Sequence, residues 1–339
     1  MTRLSGLPLA IGSLPHKDAE EAVDLIFKYL PATPFWPQLP KLNKREGMVR
    51  QFLEKFPIPY YSEGETGLEE FYEKITNRDI EYFKISKDYA AGLYAFKDRL
   101  KNNPGLLKNI KFIKCQITGP FTAAASTKNE NGDIYLNDPV FLQVFKEGLK
   151  MKALWQLDFF KEFNKPVILF IDEPYLSAFG SAFTPVNRDD VIRGLGELAA
   201  GIKSDTALIG LHCCGNTDWS IFTDIPGINI INFDAFEFRD RFVLYADSLA
   251  HFLKRGGFIC WGIVPTEGYS ESITPDSLFE RIENGVEALS KKGLNRELLY
   301  NQMFLSPACG LGSLDIGKSE KILKTLSETA EILRKKPPK

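Results

Sequence analysis

The chain has 339 residues, 44% of them hydrophobic and 25% charged, a composition typical of a globular protein with a large apolar core. Its 42 basic and 44 acidic residues give a formal net charge of −2, without the basic surplus that binds nucleic acids or anionic membranes. No stretch reaches the roughly 18 apolar residues of a membrane span, and the first segment is not a signal peptide. We therefore expect a cytoplasmic protein with neither a nucleic-acid nor a membrane partner.

Eight apolar runs, each ending in Gly, Pro or polar residues, alternate with helical patterns along the chain. The predicted strands are 7–12, 34–38, 111–117, 166–172, 207–212, 229–233, 258–263 and 303–306. The predicted helices are 18–30, 138–163, 188–202, 242–254, 276–291 and 319–333. Such alternation is typical of parallel βα units. It predicts an α/β fold, a single (β/α)₈ TIM barrel that forms one catalytic domain over residues 1–339.

Residues 41–83 interrupt this alternation directly after the second predicted strand. They combine a run with two prolines, 56–61, with a Glu-rich stretch, and they show no plain helical period. We therefore predict an insertion within the barrel that has short helices of its own. Farther along, residues 129–137 contain Asn131-Gly132-Asp133, which predicts a hairpin or loop over the barrel mouth.

The five cysteines form no disulfide-like pattern and include a potential metal-binding pair. Residues 208–216 read Leu-Ile-Gly-Leu-His-Cys-Cys-Gly-Asn, so an apolar strand ends in His212 and Cys214. Imidazole and thiolate are ligands that zinc prefers. By itself such a run is more often core packing, and we expect Cys213, Cys115 and Cys260 to be core thiols. The odd number of cysteines indicates a reducing compartment.

Unusual residues follow the predicted strands, where the chemistry of a (β/α)₈ barrel is located. These candidates are Gly12, Ser13, Asp172, His212, Cys214, Asp234 and Cys309. Because the strand ends share one rim, Cys309 can approach His212 and Cys214 although it lies far along the chain. The sequence contains no Cys-x-x-Cys pair of the kind that structural zinc sites use, so the spacing favours a catalytic zinc. We expect three aromatic residues to wall the mouth: Trp36, Trp261 and Phe121.

Five motifs in this order resemble the C-terminal catalytic barrel of cobalamin-independent methionine synthase. They are Ile11-Gly12-Ser13-Leu14-Pro15, Ile171-Asp172-Glu173-Pro174, His212-x-Cys214, an acid after the next strand, and Pro307-Ala308-Cys309-Gly310-Leu311. The cysteine motifs are also similar to those of corrinoid-linked methyltransferases in the uroporphyrinogen decarboxylase superfamily. The folate-using synthases have an additional N-terminal half, so the chain looks closest to the short core methionine synthases, for which a methylated corrinoid is the expected donor.

The resemblance implies a zinc ion bound by His212, Cys214 and Cys309. The family's fourth ligand, a glutamate, falls on Asp234, whose side chain is one methylene shorter. Either the strand lies closer there, or Glu237 or a water takes that place.

The resemblance also implies a site for the amino-acid part of the substrate. The Gly12 backbone and Ser13 would bind its carboxylate, and Asp172 would pair with its ammonium. The family adds another acid from the insertion, for which Glu63 and Glu65 are candidates. Without the resemblance, the Asp172-Glu173-Pro174 run would favour a helix N-terminal cap.

The implied function is zinc-dependent transfer of a methyl group from methylcobalamin, or from a corrinoid protein, to the thiol of L-homocysteine, which forms methionine. One alternative is the same chemistry on another thiol, such as coenzyme M, for which an ammonium-binding Asp172 would be unnecessary. A metal-free lyase of the uroporphyrinogen decarboxylase type is disfavoured because only Arg239 lies near a strand end. A third alternative is a zinc-bearing interaction module whose insertion, 41–83, binds a partner.

Overall fold

Seven parallel strands form one sheet in the computed structural model, which describes residues 6–59, 67–181 and 184–335. The strands are β1 (Leu7–Pro8), β2 (Ile113–Thr118), β3 (Val167–Asp172), β4 (Ala207–Cys213), β5 (Ile230–Phe233), β6 (Phe258–Val264) and β7 (Met303–Pro307). Their order across the sheet is β1-β7-β6-β5-β4-β3-β2. Each strand from β2 to β7 pairs with its neighbour in sequence, and β1 pairs with β7. The carboxyl ends of all seven strands therefore lie on the same side of the sheet.

Twelve α-helices connect and cover these strands in the described part of the chain. They are α1 (Ala19–Tyr29), α2 (Leu68–Thr76), α3 (Ala91–Asn102), α4 (Pro120–Ser126), α5 (Pro139–Phe160), α6 (Arg188–Gly201), α7 (Trp219–Asp224), α8 (Ala235–Phe242), α9 (Ala246–Lys254), α10 (Pro275–Lys291), α11 (Arg296–Asn301) and α12 (Ile316–Lys335). The six predicted helices correspond to α1, α5, α6, α9, α10 and α12. In none of the described helices is there an apolar run of the length that a bilayer crossing requires.

Side chains at the helix starts explain why several predicted boundaries are close to the observed ones. The Asp18 carboxylate accepts two backbone N–H groups in the first turn of α1, and Asp138 does the same for α5. Thr274 and Ser277 form a reciprocal capping box at the start of α10. These residues satisfy N–H groups that have no partner inside the helix.

Residues 34–38, the predicted second strand, form no strand but lie between β1 and β2. Parallel backbone bridges join Phe35 to Lys114 on one side and Gln38 to Ser13 on the other. The segment therefore joins β2 to the residues that follow β1, the strands at the two ends of the seven-strand order. The parallel α/β fold is confirmed as a curled seven-stranded sheet, whereas the prediction of eight strands is not confirmed for the described residues.

Proline and glutamine explain the irregular backbone of this joining segment. Pro34 and Pro37 have no N–H group to donate to a ladder, so a regular strand is not favoured here. Side chains supply other contacts: the Gln116 amide donates to the Trp36 carbonyl oxygen at 3.1 Å, and the Trp36 indole donates to Gln156 Oε1 at 2.9 Å. The Gln156 amide then donates to the Gln116 carbonyl oxygen at 3.0 Å. Buried side chains thus hold a segment that cannot form a full ladder.

The predicted insertion, 41–83, contains two short 3₁₀ helices, Lys44–Glu46 and Arg50–Phe52, followed by α2. Its candidate acids Glu63 and Glu65 lie outside the described residues, and its status as an insertion in one domain stays a prediction. At residues 129–137, an antiparallel bridge between Lys128 and Ile134 forms the expected hairpin.

Glu173, at the end of β3, caps the neighbouring helix α4. Its carboxylate accepts the N–H of Phe121 at 3.0 Å and both the N–H and the hydroxyl of Thr122, at 2.8 and 2.6 Å. The cap interpretation of Asp172-Glu173-Pro174 is therefore correct for Glu173, although the capped helix is not the next one in the chain. Gly119 makes this possible, because a Cβ atom there would lie 2.1 Å from Glu173 Oε1.

We expect Gly119→Ala to destabilise the fold by about 2–3 kcal/mol, because the methyl group must displace a buried, hydrogen-bonded carboxylate. Urea unfolding followed by circular dichroism measures this loss. Gly105→Ala is the matched control, since a Cβ there would meet no atom within 4 Å. Equal stability of the two variants would contradict the proposed close contact between Gly119 and Glu173.

Candidate metal centre and substrate cavities

The ends of β4 and β7 bring three predicted ligands together. One ring nitrogen of His212 and the Sγ atoms of Cys214 and Cys309 all lie within 4.8 Å of one another. His212 is buried, while Cys214 and Cys309 are half-buried. Both cysteines line two neighbouring cavities.

This donor set fits a zinc ion. Zn–S bonds of about 2.3 Å and Zn–N bonds of about 2.0 Å place tetrahedral ligand atoms about 3.5–3.8 Å apart. In the structure the three ligand atoms lie up to 4.8 Å apart. Small side-chain rotations would bring them to the tetrahedral separations. One imidazole and two thiols also match the soft ligands that zinc selects over magnesium or calcium.

A hydrogen bond between the two sulfurs makes the thiols unequal. The Cys309 thiol beside Cys214 lowers the pKa of Cys214, and the same contact raises the pKa of Cys309. Burial acts to lower the pKa of His212, but its hydrogen bond to Cys309 and the charge of Asp172 outweigh burial and the pKa is raised. In the metal-free protein Cys214 is therefore the more acidic thiol of the pair.

We expect iodoacetamide to modify Cys214 first in the metal-free protein, because the thiolate is the reactive form and the thiol with the lowered pKa forms it most readily. Burial raises the pKa to about 12 for the three other buried thiols, Cys115, Cys213 and Cys260. Peptide mass spectrometry over a time course gives the rate for each cysteine, and zinc should slow the reaction at Cys214. Faster labelling of Cys309 than of Cys214 would contradict this order, and Cys214→Ser is the control that removes the fast phase.

Asp234 does not join the three-residue cluster. Its Oδ1 atom accepts the N–H of Phe236 at 2.9 Å and of Glu237 at 3.0 Å, which caps α8. Burial raises the pKa of Asp234 to about 6. Both hydrogen bonds use one oxygen, and the residue lines a cavity next to the cysteines. Neither Asp234 nor Glu237 contributes to the described cluster, so their role as the fourth ligand stays a prediction.

A cavity of about 300 Å³ joins the cluster to the predicted amino-acid site. Its walls include Ser13, Glu46, Asp172, His212, Cys214 and Cys309. Asp172 is buried, and its Oδ1 atom has no hydrogen-bond partner among the described residues. Burial raises the pKa of Asp172, whereas the charges of Lys114 and His212 act to lower it. An unpartnered carboxylate oxygen in a cavity wall is suited to a cationic ligand group.

Glu46 is a second buried acid of this cavity, and the sequence reasoning missed it. Its two oxygens accept the N–H groups of Leu39 and Ala91, each at 3.0 Å. Burial raises the pKa of Glu46 to about 7. It belongs to a short 3₁₀ helix of the predicted insertion, where no periodic pattern distinguishes it from the other acids.

The Gly12 and Ser13 turn lies beside the same cavity, which Ser13 lines. Ser13 Oγ accepts the N–H of Gly312 at 3.1 Å. Gly12 has φ +153°, and a Cβ atom there would lie 2.8 Å from the Gln116 side chain. Below the turn, Lys114 is fully buried, and its ammonium donates to the carbonyl oxygen of Ile11 and to Gln116. Burial lowers the pKa of Lys114 to about 8. The sequence reasoning did not identify Lys114, because it occurs inside an otherwise apolar strand.

A larger cavity, of about 490 Å³, is also lined by Cys214 and Cys309. Its charged lining residues are Asp234, Glu237 and Glu267, and Phe238 adds an aromatic surface. Among the described residues that line it there is no lysine or arginine. The two thiols therefore face two cavities, one of which has a strongly acidic wall.

The three aromatic residues expected at the mouth are instead in the core. Trp36, Trp261 and Phe121 are each at most 1% exposed, and none of them lines either cavity. The Trp36 indole donates a hydrogen bond to Gln156 on α5, and Trp261 packs against Gly285 on α10. The prediction was wrong because these side chains face the surrounding helices, where burial of a large apolar area is most favourable.

The fold and the site together define a class of protein: a parallel α/β protein with a His–Cys–Cys cluster at the carboxyl ends of its strands. The chain is 26% identical over 273 residues to the methionine synthase of Methanocaldococcus jannaschii. The matched residues make up 79% of this chain and 75% of that protein. This similarity confirms the resemblance that the five motifs indicate. It also agrees with the prediction of an enzyme of the thiol methyltransferase type.

Among solved structures, the chain is similar to a B12-independent methionine synthase from Shewanella sp. W3-18-1, described in complex with selenomethionine. The two are 17% identical with a TM-score of 0.46, over 70% of this chain and 66% of that one. A scan against protein-family models gives no match.

Proposed function

We propose that the chain is a zinc-dependent methyltransferase that methylates the thiol of L-homocysteine to form methionine. The observation that carries this proposal is one cavity lined by both the His212–Cys214–Cys309 cluster and Asp172, whose Oδ1 atom has no hydrogen-bond partner among the described residues. Homocysteine carries a thiol and an ammonium group in one small molecule. Its thiol would contact the cluster while its ammonium contacts Asp172 in the same cavity. The name of the Methanocaldococcus jannaschii relative, methionine synthase, supports the same product.

The residues of the smaller cavity would orient the amino-acid part of homocysteine. Asp172 and Glu46 would supply negative charge for its ammonium, and the Ser13 hydroxyl, with the adjacent Gly12 backbone, would bind its carboxylate. These contacts direct the side-chain thiol towards Cys214 and Cys309. Fixing both ends of the substrate converts a random encounter into an oriented displacement on the methyl carbon.

His212, Cys214 and Cys309 would hold the zinc ion, with the fourth position left for the substrate or for the predicted acid. When bound, zinc lowers the pKa of a coordinating thiol, which is otherwise about 8.5 and mostly protonated at neutral pH. The two cysteines keep the site electron-rich, so the substrate sulfur stays nucleophilic. No other residue is needed as a general base.

The larger cavity is the proposed entry for the methyl donor, because it reaches the two cysteines from outside the amino-acid cavity. We keep the predicted donor, methylcobalamin or a corrinoid protein. The acidic wall formed by Asp234, Glu237 and Glu267 disfavours donors that carry carboxylates, such as folates, by charge repulsion. The Shewanella enzyme, named as B12-independent, gives the corrinoid no support.

The decisive experiment pairs two acceptors with two donors. Zinc-loaded protein is incubated with homocysteine or coenzyme M and with methylcobalamin or methyltetrahydrofolate, and the products are measured by mass spectrometry. We expect methionine from homocysteine and methylcobalamin. Methylated coenzyme M as the main product would favour the alternative acceptor, and methionine from methyltetrahydrofolate alone would exclude the corrinoid. Absence of any product with zinc retained would favour the interaction module.

We expect kcat/KM for homocysteine to fall as the pH decreases below about 7. Burial raises the pKa of Glu46 to about 7, so the neutral acid predominates below that pH and loses its attraction for the ammonium. Above it, the carboxylate form persists and the profile becomes flat. A Glu46→Gln variant should have a lower kcat/KM for homocysteine, and its kcat/KM should no longer fall below about pH 7 through titration of this residue. An unchanged profile in that variant would exclude Glu46 as the titrating residue.

The remaining alternatives have less support. A lyase acting on a polycarboxylate needs convergent basic residues, and among the described residues neither cavity lining contains lysine or arginine. Arg239 instead pairs with Asp240. All five cysteines are free thiols, which supports the proposed cytoplasmic location.

A further inference from the structure

Asn232 is a fully buried polar residue of β5 that lies between His212 on β4 and Cys260 on β6. Its Nδ2 atom is 2.9 Å from the carbonyl oxygen of Cys260 and 2.8 Å from Ser306 Oγ on β7. Its Oδ1 atom is 2.5 Å from His212 Nδ1. One amide group thus contacts residues of three other strands.

The contact with Cys260 determines which way the amide points. A backbone carbonyl oxygen only accepts hydrogen bonds, so the atom facing it must be the NH₂ group. The opposite atom is then the amide oxygen, which also only accepts. His212 Nδ1 must therefore carry a proton and donate it to Asn232. In the neutral imidazole, Nε2 is then unprotonated and has its lone pair available.

We propose that Asn232 is a positioning residue that holds His212 as the Nδ1–H tautomer, with the Nε2 lone pair directed at the space between Cys214 and Cys309. The proposal rests on the zinc site of the proposed function. The other tautomer would bring two unprotonated acceptors to 2.5 Å, which is repulsive. Partners of this kind typically fix the orientation of a metal-binding histidine.

The surrounding strands make this arrangement independent of the metal. Asn232, Cys260 and Ser306 are all fully buried, so water does not compete for these hydrogen bonds. The backbone of β6 supplies one anchor and the side chain of β7 the other. The imidazole is thus oriented by the sheet before any metal binds, which reduces the ordering that binding requires.

Three variants test the proposal. Asn232→Leu keeps the branching at Cγ and removes every side-chain hydrogen bond, and we expect zinc affinity to fall 10- to 100-fold in chelator competition. Asn232→Asp keeps an oxygen acceptor for Nδ1 and should restore most of that affinity. Ser306→Ala is the matched control, because the Cys260 carbonyl still orients the amide, and its zinc affinity should be unchanged. Thermal unfolding of the metal-free variants checks that each one folds.

The tautomer itself is measured by ¹⁵N NMR on histidine-labelled, zinc-loaded protein. The chain has only three histidines, so a His212→Gln spectrum assigns the His212 signals. We expect a protonated Nδ1 and an unprotonated Nε2 in the unmodified protein, and this result needs no folded Asn232 variant. A protonated Nε2, or an Asn232→Leu variant with the original tautomer and zinc affinity, would overturn the proposal. Neither readout uses methyl transfer, so an inactive protein with the expected tautomer would contradict the proposed reaction alone.

Discussion

Replacing Cys309 by alanine is expected to abolish both zinc binding and methyl transfer. The substitution removes one of the three proposed ligands, whose sulfur also hydrogen-bonds with the other two. Because each thiolate contributes a large part of the binding free energy, we expect affinity for zinc to fall by about 1,000-fold or more. Metal analysis after dialysis should give about one zinc per chain for the unmodified protein and almost none for Cys309→Ala.

Cys213→Ala is the matched control for this experiment. Cys213 is adjacent to a ligand, but its thiol is buried and contacts the Gly215 carbonyl oxygen instead of the cluster. We expect this variant to keep zinc and turnover, with only the modest loss of stability that a small cavity causes. Full zinc content and activity in Cys309→Ala would end the assignment of the metal site.

Replacing Asp172 by asparagine is expected to reduce kcat/KM for homocysteine by at least about 100-fold. The substitution leaves a substrate ammonium in a buried cavity with one of its two negative partners missing, and such losses cost about 2–5 kcal/mol. The variant should still bind zinc, since Asp172 is outside the ligand cluster. Steady-state kinetics and metal analysis together measure both properties.

An acceptor without the amino group provides the control for Asp172. 4-Mercaptobutyrate has the thiol and carboxylate of homocysteine but no ammonium, so Asp172→Asn should methylate it as well as the unmodified protein does. Equal losses with both acceptors would show that Asp172 does not recognise the ammonium. Coenzyme M, which also lacks an amine, extends the comparison to the alternative acceptor.

Most of the sheet was predictable because buried parallel strands are short apolar runs between turn residues. Seven of the eight predicted runs overlap an observed strand. The run 34–38 has the same apolar character, but Pro34 and Pro37 prevent regular pairing, and only bridges and side-chain hydrogen bonds join it to the sheet. The pattern of hydrophobicity located the segment correctly and overestimated its regularity.

The ligand cluster was predictable for a different reason. His212 and Cys214 lie at the end of β4 and Cys309 lies just after β7, so topology alone brings them to one rim. Glu46 and Asn232 carry no such signal. Glu46 reaches the cavity through an irregular segment, and Asn232 is a mid-strand residue whose role depends on the strands beside it. Both positions required the three-dimensional packing.

The segment 34–38 also affects the cavity next to it. Ser13 and Gln38 form one of its bridges, and both side chains line the smaller cavity. A junction with few backbone hydrogen bonds opens at a lower free energy than a complete ladder does. We therefore expect the wall around the proposed amino-acid site to open more readily than the regular strand pairs of the sheet, which would admit a small molecule there while His212 stays within β4.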